Sequence, residues 1–347
     1  MKIFAIESSC DETSCAVLEV KRGRFELLSN TIHSQVKVHA KYGGVVPEVA
    51  ARLHIQKVLP VVEVALKEAK TKLKDIDYFA VTAGPGLMSS LLVGVETAKT
   101  LAYAYNKPIV RVNHIEGHIL ASEKEKAKSL KFPAIALVVS GGHTQIILVK
   151  DYLKYKLIGE TRDDASGEAF DKVAKILDIG YPGGPAISKL AKKYKKESSK
   201  FEIKLPRPMI NSDNFEMSFS GLKTAVLYEW QKAIEKYGNK TDLKVAFAKE
   251  FQDAVIEVLV TKTMRAVEKY KVKTLILGGG VSANQELRKT FESVIKERDV
   301  DVDFYYPELS LTGDNAAMIA MAAYYHIEKK DFVDPFKLKA DPNWELV

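Results

Sequence analysis

The sequence has few sulfur atoms, no long apolar runs and none of the usual phosphate-binding signatures. Two cysteines, Cys10 and Cys15, occur in 347 residues. Two thiols cannot make a disulfide framework, so an apolar core must hold the fold, and a reducing cytoplasm is the expected compartment. Flanking one polar turn, they read as small buried hydrophobes rather than a redox pair. No apolar run reaches the ~18–20 residues that cross a bilayer, so no membrane association is expected. Ile3-Phe4-Ala5-Ile6 meets Glu7 at once, too soon for the apolar region of a signal peptide. Neither GxxxxGK[ST] nor GxGxxG occurs, which argues against a P-loop or Rossmann site. No large excess of one charge is present either. The formal net charge is +7, mildly basic, which suits a polyanionic partner without selecting one.

What is present is apolar bulk, 46% of residues, enough for a large core in two lobes. The most informative stretch is His114-Ile115-Glu116-Gly117-His118. On a helix, residues four apart share a face, with Cβ atoms about 5–6 Å apart. Two imidazoles so placed can share a divalent metal at about 2.0–2.1 Å each. A third, acidic ligand is needed, and Asp314 in Leu311-Thr312-Gly313-Asp314-Asn315 is the candidate. Seven histidines also produce such pairs by chance, so spacing alone does not establish a metal. The zinc-protease signature H-E-x-x-H does not fit. Ile115 follows the first histidine, and Glu116, one residue late, is turned about 100° from the position of a protease base.

Ile3 to Glu7 reads as a buried strand, Ser8 to Ser14 as a small polar turn, and Cys15 to Val20 as the returning strand. The layout recurs with Ile135–Val139, the turn Ser140-Gly141-Gly142-His143-Thr144, and Gln145–Val149. Turns of this kind can aim backbone N–H groups at an anion, and glycines let a ligand approach. Two such hairpins about 130 residues apart suggest a duplicated α/β domain with a cleft between the copies. Helices are expected from Val45 to Lys70, across Pro60, and from Ser89 to Tyr105, with small residues Ser90, Gly94 and Ala98 for close packing. Others are expected after Tyr181-Pro182-Gly183-Gly184-Pro185, up to Lys236, over about 242–270, and from Ala316 to Glu328. Asp164 is expected to cap a helix that carries Glu168 and Asp171. Lys192 to Lys200 is a basic stretch suited to a solvated face or to RNA contact. Leu277-Gly278-Gly279-Gly280-Val281-Ser282-Ala283-Asn284 is a glycine turn on which a nucleoside can lie. The polar tail beyond Lys330 carries no signal.

Taken together, these stretches closely resemble the universal tRNA threonylcarbamoyladenosine-forming family. The resemblance rests on Glu7–Thr13, Gly43–Arg52, Ala83–Leu87, Asn113–His118 and Val139–Thr144, then on Gly167–Lys172, Tyr181–Pro185, Ser218–Lys223, Gly278–Asn284 and Gly313–Met318, in order along nearly the whole chain. It implies a duplicated actin-like ATPase (ASKHA) fold of two lobes, residues 1–112 with 316–347 and residues 113–315, around a central nucleotide and metal cleft. It implies transfer of the threonylcarbamoyl group from threonylcarbamoyl-AMP to N6 of adenosine 37, in tRNAs that read codons beginning with A, with release of AMP. The implied metal ligands are His114, His118 and Asp314, holding one Fe(2+) or, alternatively, Zn(2+). The implied substrate contacts are Val138, Val139, Ser140, Gly141, Gly142, Asp171, Gly184 and Asn284. Asp11 or Glu12 is the candidate proton acceptor. The chain departs from some relatives in two places. Val138 stands where the archaeal and eukaryotic branch has a tyrosine ligand, and Ser188 where some members have an acid. Expected partners are tRNA, a smaller paralogue of the TsaB type, and a small P-loop ATPase of the TsaE type. The apolar helices near 45–105 are the expected docking bundle for the paralogue. A small-molecule kinase, a nucleotide-gated scaffold and a metalloprotease are the rival readings.

Overall fold

The computed structural model describes residues 1–123, 127–195 and 200–346. In chain order, β1 (Lys2–Glu7), β2 (Glu12–Lys21) and β3 (Arg24–Ser34) precede α1 (Val36–His39), α2 (Pro47–Glu68), β4 (Tyr78–Gly84), α3 (Met88–Ala104), β5 (Ile109–Asn113) and α4 (His114–Leu120). Strands β6 (Ala134–Val139), β7 (Thr144–Asp151) and β8 (Lys154–Glu160) lead into α5 (Ser166–Ile176), α6 (Gly183–Ala191), α7 (Ser220–Tyr237) and α8 (Thr241–Tyr270). The chain continues through β9 (Thr274–Gly278), α9 (Gln285–Glu297), β10 (Asp303–Tyr305) and α10 (Ala316–Glu328). Lys196, Glu197, Ser198 and Ser199 of the basic stretch lie outside the described residues. No helix among the described residues is long and apolar enough to cross a membrane.

The chain is α/β with two five-stranded sheets. The first has the order β3-β2-β1-β4-β5. The second, read from its far edge, has the order β8-β7-β6-β9-β10, the same arrangement five strands later. In the first sheet β1 lies antiparallel to β2 and parallel to β4, and β4 is parallel to β5. In the second, β6 is parallel to β9. Strands β1 and β6, central in their sheets, are buried along nearly their whole length, which accounts for their unbroken apolar runs. The polar strands β3 and β8 have no such run, and neither is expected from the sequence.

Contacts divide the chain into two compact units. One comprises Met1–Lys131, Val149–Lys156 and Tyr305–Val347; the other comprises Phe132–Leu148 and Leu157–Phe304. Residues 113–123, 127–131, 149–156 and 305–315, placed with the second lobe from the sequence, cluster here with the first. In the first unit Phe4, Ile6, Cys15, Val17, Phe79, Val81, Val95 and Ala98 form the core. Helix α3 seats against β1 through its small residues. A Cβ on Gly94 would stand 2.4 Å from Ser8 Oγ, which donates to Ser90 O at 2.8 Å and accepts from Gly94 N at 3.1 Å.

Two expectations are corrected. The tail is not inert. Val333 bridges to Ile109, Leu338 is buried, and Asp341 N donates to Ala83 O at 2.7 Å. A Cβ on Gly84 would fall 1.8 Å from Asp341 O, so the tail crosses where only glycine leaves room. Nor does Asp164 cap α5, whose N-cap position is Ala165 without a side-chain bond. Asp164 pairs instead with Lys172 at 2.6 Å and Lys223 at 3.4 Å.

Asp163 secures the start of α7. It accepts from Ser218 Oγ and Ser220 Oγ at 2.6 and 2.7 Å, and from Phe219 N and Ser220 N at 2.8 and 3.1 Å. Burial alone would raise its pKa, but these bonds outweigh burial and lower it to about 2. A depressed carboxylate stabilises the fold above its unfolded pKa and loses that contribution as pH falls through the folded value. Asp163→Asn should therefore cost about 1 kcal/mol at pH 7, after allowance for solvent screening at this exposed site. The gap to wild type should shrink between pH 4 and pH 2 in urea titrations.

Candidate metal centre

Two asparagine caps place the three candidate ligands. Asn113 Oδ1 accepts from Ile115 N at 2.9 Å, so α4 begins at His114, and His118 follows one turn later on the same face. Asn315 Oδ1 accepts from Met318 N at 3.0 Å and starts α10, leaving Asp314 at its threshold. Gly117 lets the helices close, since a Cβ there would stand 2.9 Å from Ile319 Cδ1. The imidazoles of His114 and His118 have centroids 4.6 Å apart and meet edge to face. Asp314 Oδ1 lies 3.5 Å from His114 Nε2 and 3.2 Å from His118 Nε2. One ligand atom from each residue falls within a 4.8 Å span.

The charges around this cluster ask for a cation. Burial disfavours a charged His114, but Asp314 and Glu7 outweigh it and raise its pKa to about 9. Burial holds His118 below its ordinary value. Glu12 is pushed well above the carboxylate range, first by burial and then by Asp11 and Asp314. Both ring nitrogens of His118 are buried and complete no hydrogen bond, because Nε2 is near Asp314 Oδ1 but poorly directed for one. Two imidazoles and a carboxylate, with an orphaned buried nitrogen among them, fit a divalent metal. Glu116 takes no part. Its carboxylate accepts from Tyr155 Oη at 2.8 Å and meets His326 Nε2 at 2.7 Å, which agrees with its exclusion as a protease base.

In the same unit, the turn after β1 carries Asp11, and Glu12 opens β2. His54 on the buried face of α2 clamps the turn, with Nδ1 2.8 Å from Thr13 Oγ1 and Nε2 2.9 Å from Cys10 O. Glu12 Oε1 accepts from Ser34 Oγ at 2.9 Å. His54 escapes sequence reasoning because a histidine in an apolar helix carries no pattern of its own.

The remaining candidates all lie in the second unit, and short contacts connect them. Val138 and Val139 are fully buried at the end of β6. Ser140 Oγ accepts from His143 N at 3.0 Å, which closes the following turn. Nothing stands within 4 Å of a Cβ built on Gly141, Gly142 or Gly184, so their backbone is open to a ligand. Gly279, at φ +86°, passes so close to this strand that a Cβ would sit 2.3 Å from Val139 O. Asp171 Oδ1 accepts from Gly183 N at 2.6 Å, beside Gly184. Asn284 Nδ2 donates to Ser188 Oγ at 3.1 Å and Gln252 Oε1 at 3.0 Å. Ser188 is thus a partner of Asn284, and neither it nor Gln252 is expected from the sequence in that role.

An α/β protein with a metal-capable His-His-Asp cluster and a set of glycine-opened turns is the class these features define. Residues 26–321 match the family model described as tRNA N6-adenosine threonylcarbamoyltransferase. A protein of that name from Syntrophomonas wolfei is 48% identical over 341 residues, covering 98% of this chain and 96% of its own. Another, from Thermodesulfovibrio yellowstonii, is 48% identical over 337 residues, covering 97% of each. The chain belongs to the tRNA N6-adenosine threonylcarbamoyltransferase family. In fold it is also similar to the crystal structure of T. kodakarensis HypF, with a TM-score of 0.62 at 13% identity. That likeness covers 97% of this chain and 49% of the other.

Asn284 also caps α9, accepting from Glu286 N and Leu287 N at 2.9 and 3.2 Å. Asn284→Ala should destabilise by about 1–2 kcal/mol through the lost cap, read as a lower urea midpoint at unchanged slope.

Proposed function

We propose that this protein transfers the threonylcarbamoyl group of threonylcarbamoyl-AMP to N6 of adenosine 37 in tRNAs reading codons that begin with A, and releases AMP. The observation that carries the reading is the His114-His118-Asp314 cluster, its histidines buried, in a chain of this family. The two sheets of identical strand order support a duplicated ASKHA architecture.

The reaction joins N6 to the carbamoyl carbon and breaks the bond from that carbon to the phosphate oxygen. AMP leaves with the electron pair and N6 gives up a proton. The chain must cradle AMP, orient the carbamoyl group and hold a weakly nucleophilic amine close. Gly141 and Gly142, with Ser140, receive the phosphate and acyl region along an open backbone. Asp171, Gly184 and Asn284 position the adenosine, and Val138 and Val139 form an apolar wall. Asp11 or Glu12, at the turn after β1, accepts the proton. His114, His118 and Asp314 would hold the divalent metal. When bound, iron(II), or zinc(II) on the same donors, supplies a Lewis acid that anchors and polarises the threonylcarbamoyl group.

Partners follow from what the chain lacks and exposes. With no P-loop of its own, it relies on a small P-loop ATPase. Ile55, Leu59 and Val64 on α2 and Met88 and Leu92 on α3 are exposed apolar residues, Ile55 and Leu59 at 66% and 60%. They suit a helix-pairing smaller paralogue of the TsaB type. A mildly basic chain suits tRNA.

A single-turnover assay tests the reaction. The chain, its partners, threonylcarbamoyl-AMP and unmodified tRNA are mixed, and the modified nucleoside is read by mass spectrometry. Wild type should form product and His114→Ala should lose it by at least about a hundredfold, which is about 2.7 kcal/mol of barrier. Wild-type product formation without tRNA specificity, or phosphorylation of a small molecule instead, would overturn the reading. Separately, Ile55→Asp with Leu59→Asp should abolish co-elution with the paralogue and leave the melting temperature of the isolated chain within about 2 °C, since exposed changes cost little.

A further inference from the structure

We propose that Glu7 is a positioning residue for the metal centre: its buried carboxylate fixes His114 with the proton on Nδ1, so that Nε2 is the donor atom. The inference rests on the metal reading above and extends it to a residue outside the ligand set.

Glu7 ends β1, and its side chain is fully shielded from solvent. A carboxylate in that setting must be paid for by partners, and it has three. Oε1 accepts from Ser9 N at 2.5 Å, Oε2 accepts from Thr82 Oγ1 at 2.5 Å, and Oε2 lies 3.2 Å from His114 Nδ1. The first two hold the carboxylate still, so the imidazole must adapt to it. A neutral imidazole has one N–H and one lone pair. An ionised carboxylate only accepts, so Nδ1 presents its N–H to Glu7, and when a metal is bound the Nε2 lone pair, on the side of Asp314, is the one that ligates it. Ser9 Oγ is also 3.2 Å from Nδ1. As a hydroxyl it can donate or accept, and so cannot choose the tautomer by itself. A carboxylate behind a ligating histidine fixes the ring and makes the opposite nitrogen more basic.

The two histidines are therefore unlike ligands. Nδ1 of His118 is buried, completes no hydrogen bond and has no carboxylate behind it, while Nε2 lies 3.2 Å from Asp314 Oδ1. His114, backed by Glu7, is the ligand through which the surrounding protein controls affinity. Glu7 also lies within the resemblance-bearing stretch Glu7–Thr13, yet neither the ligand set nor the substrate contacts use it.

The experiment is a Co2+ titration of the metal-free full chain, followed by calorimetry and by the visible d–d bands, with no turnover involved. Wild type, Glu7→Gln and Glu7→Asp are compared, with His114→Ala as the control for the site. Glu7→Gln keeps the shape but removes the charge, and should weaken Co2+ binding by about 10–100-fold and shift the visible bands. Should Glu7→Gln not fold, Glu7→Asp carries the test: it retains the charge but sets it back by one methylene, and weaker binding with an altered spectrum would support the inference. Affinity and spectrum unchanged from wild type in the folded variant would overturn it while leaving the metal reading intact. No Co2+ uptake by wild type, or equal uptake by His114→Ala, would overturn the metal reading and this inference with it.

Discussion

The closure of α4 onto α10 is the contact on which the candidate site depends. The helices are short of bulk where they meet, and Gly117 allows Ile319 and Met318 to pack directly against the α4 backbone. Asn113 and Asn315 set the first residue of each helix, and with it the directions of His114 and Asp314. Asn113 also donates to Trp344 O at 3.1 Å, and the ring of Trp344 lies under the Arg111 guanidinium. The C-terminal segment thus braces the strand-to-helix junction that presents the histidines. His114 and His118 are buried, and in a lower dielectric than water the charges around them act strongly on one another.

Carboxylates are concentrated around that junction beyond what the protein's own cations balance. Burial, then Asp11 and Asp314, raise the pKa of Glu12, while Asp314 and Glu7 raise that of His114 against the effect of burial. Such perturbed groups cluster at functional sites. The second unit solves a different problem. Its glycines at 141, 142 and 184 leave backbone uncovered, while Gly183 and Gly279 are places where another chain segment approaches too closely for any side chain. Open backbone and tight backbone alternate within a few residues.

Much of this was legible in the residues. Apolar strand runs at 3–6 and 135–139, the repeated hairpin, the helix from 241 to 270 and the HxxxH spacing are local patterns, and the structure returns each as expected. Polar β3 and β8 were not legible, because edge strands with one wet face carry a weak alternation. The tail was missed for a related reason: Val333, Leu338 and Trp344 are single apolar residues, and only their docking sites reveal their purpose.

The sequence by itself determined the donor types, the four-residue separation of the histidines and the order of the elements, since these follow from periodicity within one or two turns of chain. Tertiary structure alone decided that Asp314 meets His118, that Glu7 stands behind His114 at a separation of 107 residues, and that His54 clamps the Cys10–Thr13 turn. Hydrogen bonds of that kind leave no periodic trace, because the residues they join are brought together only when distant strands and helices pack into a common core.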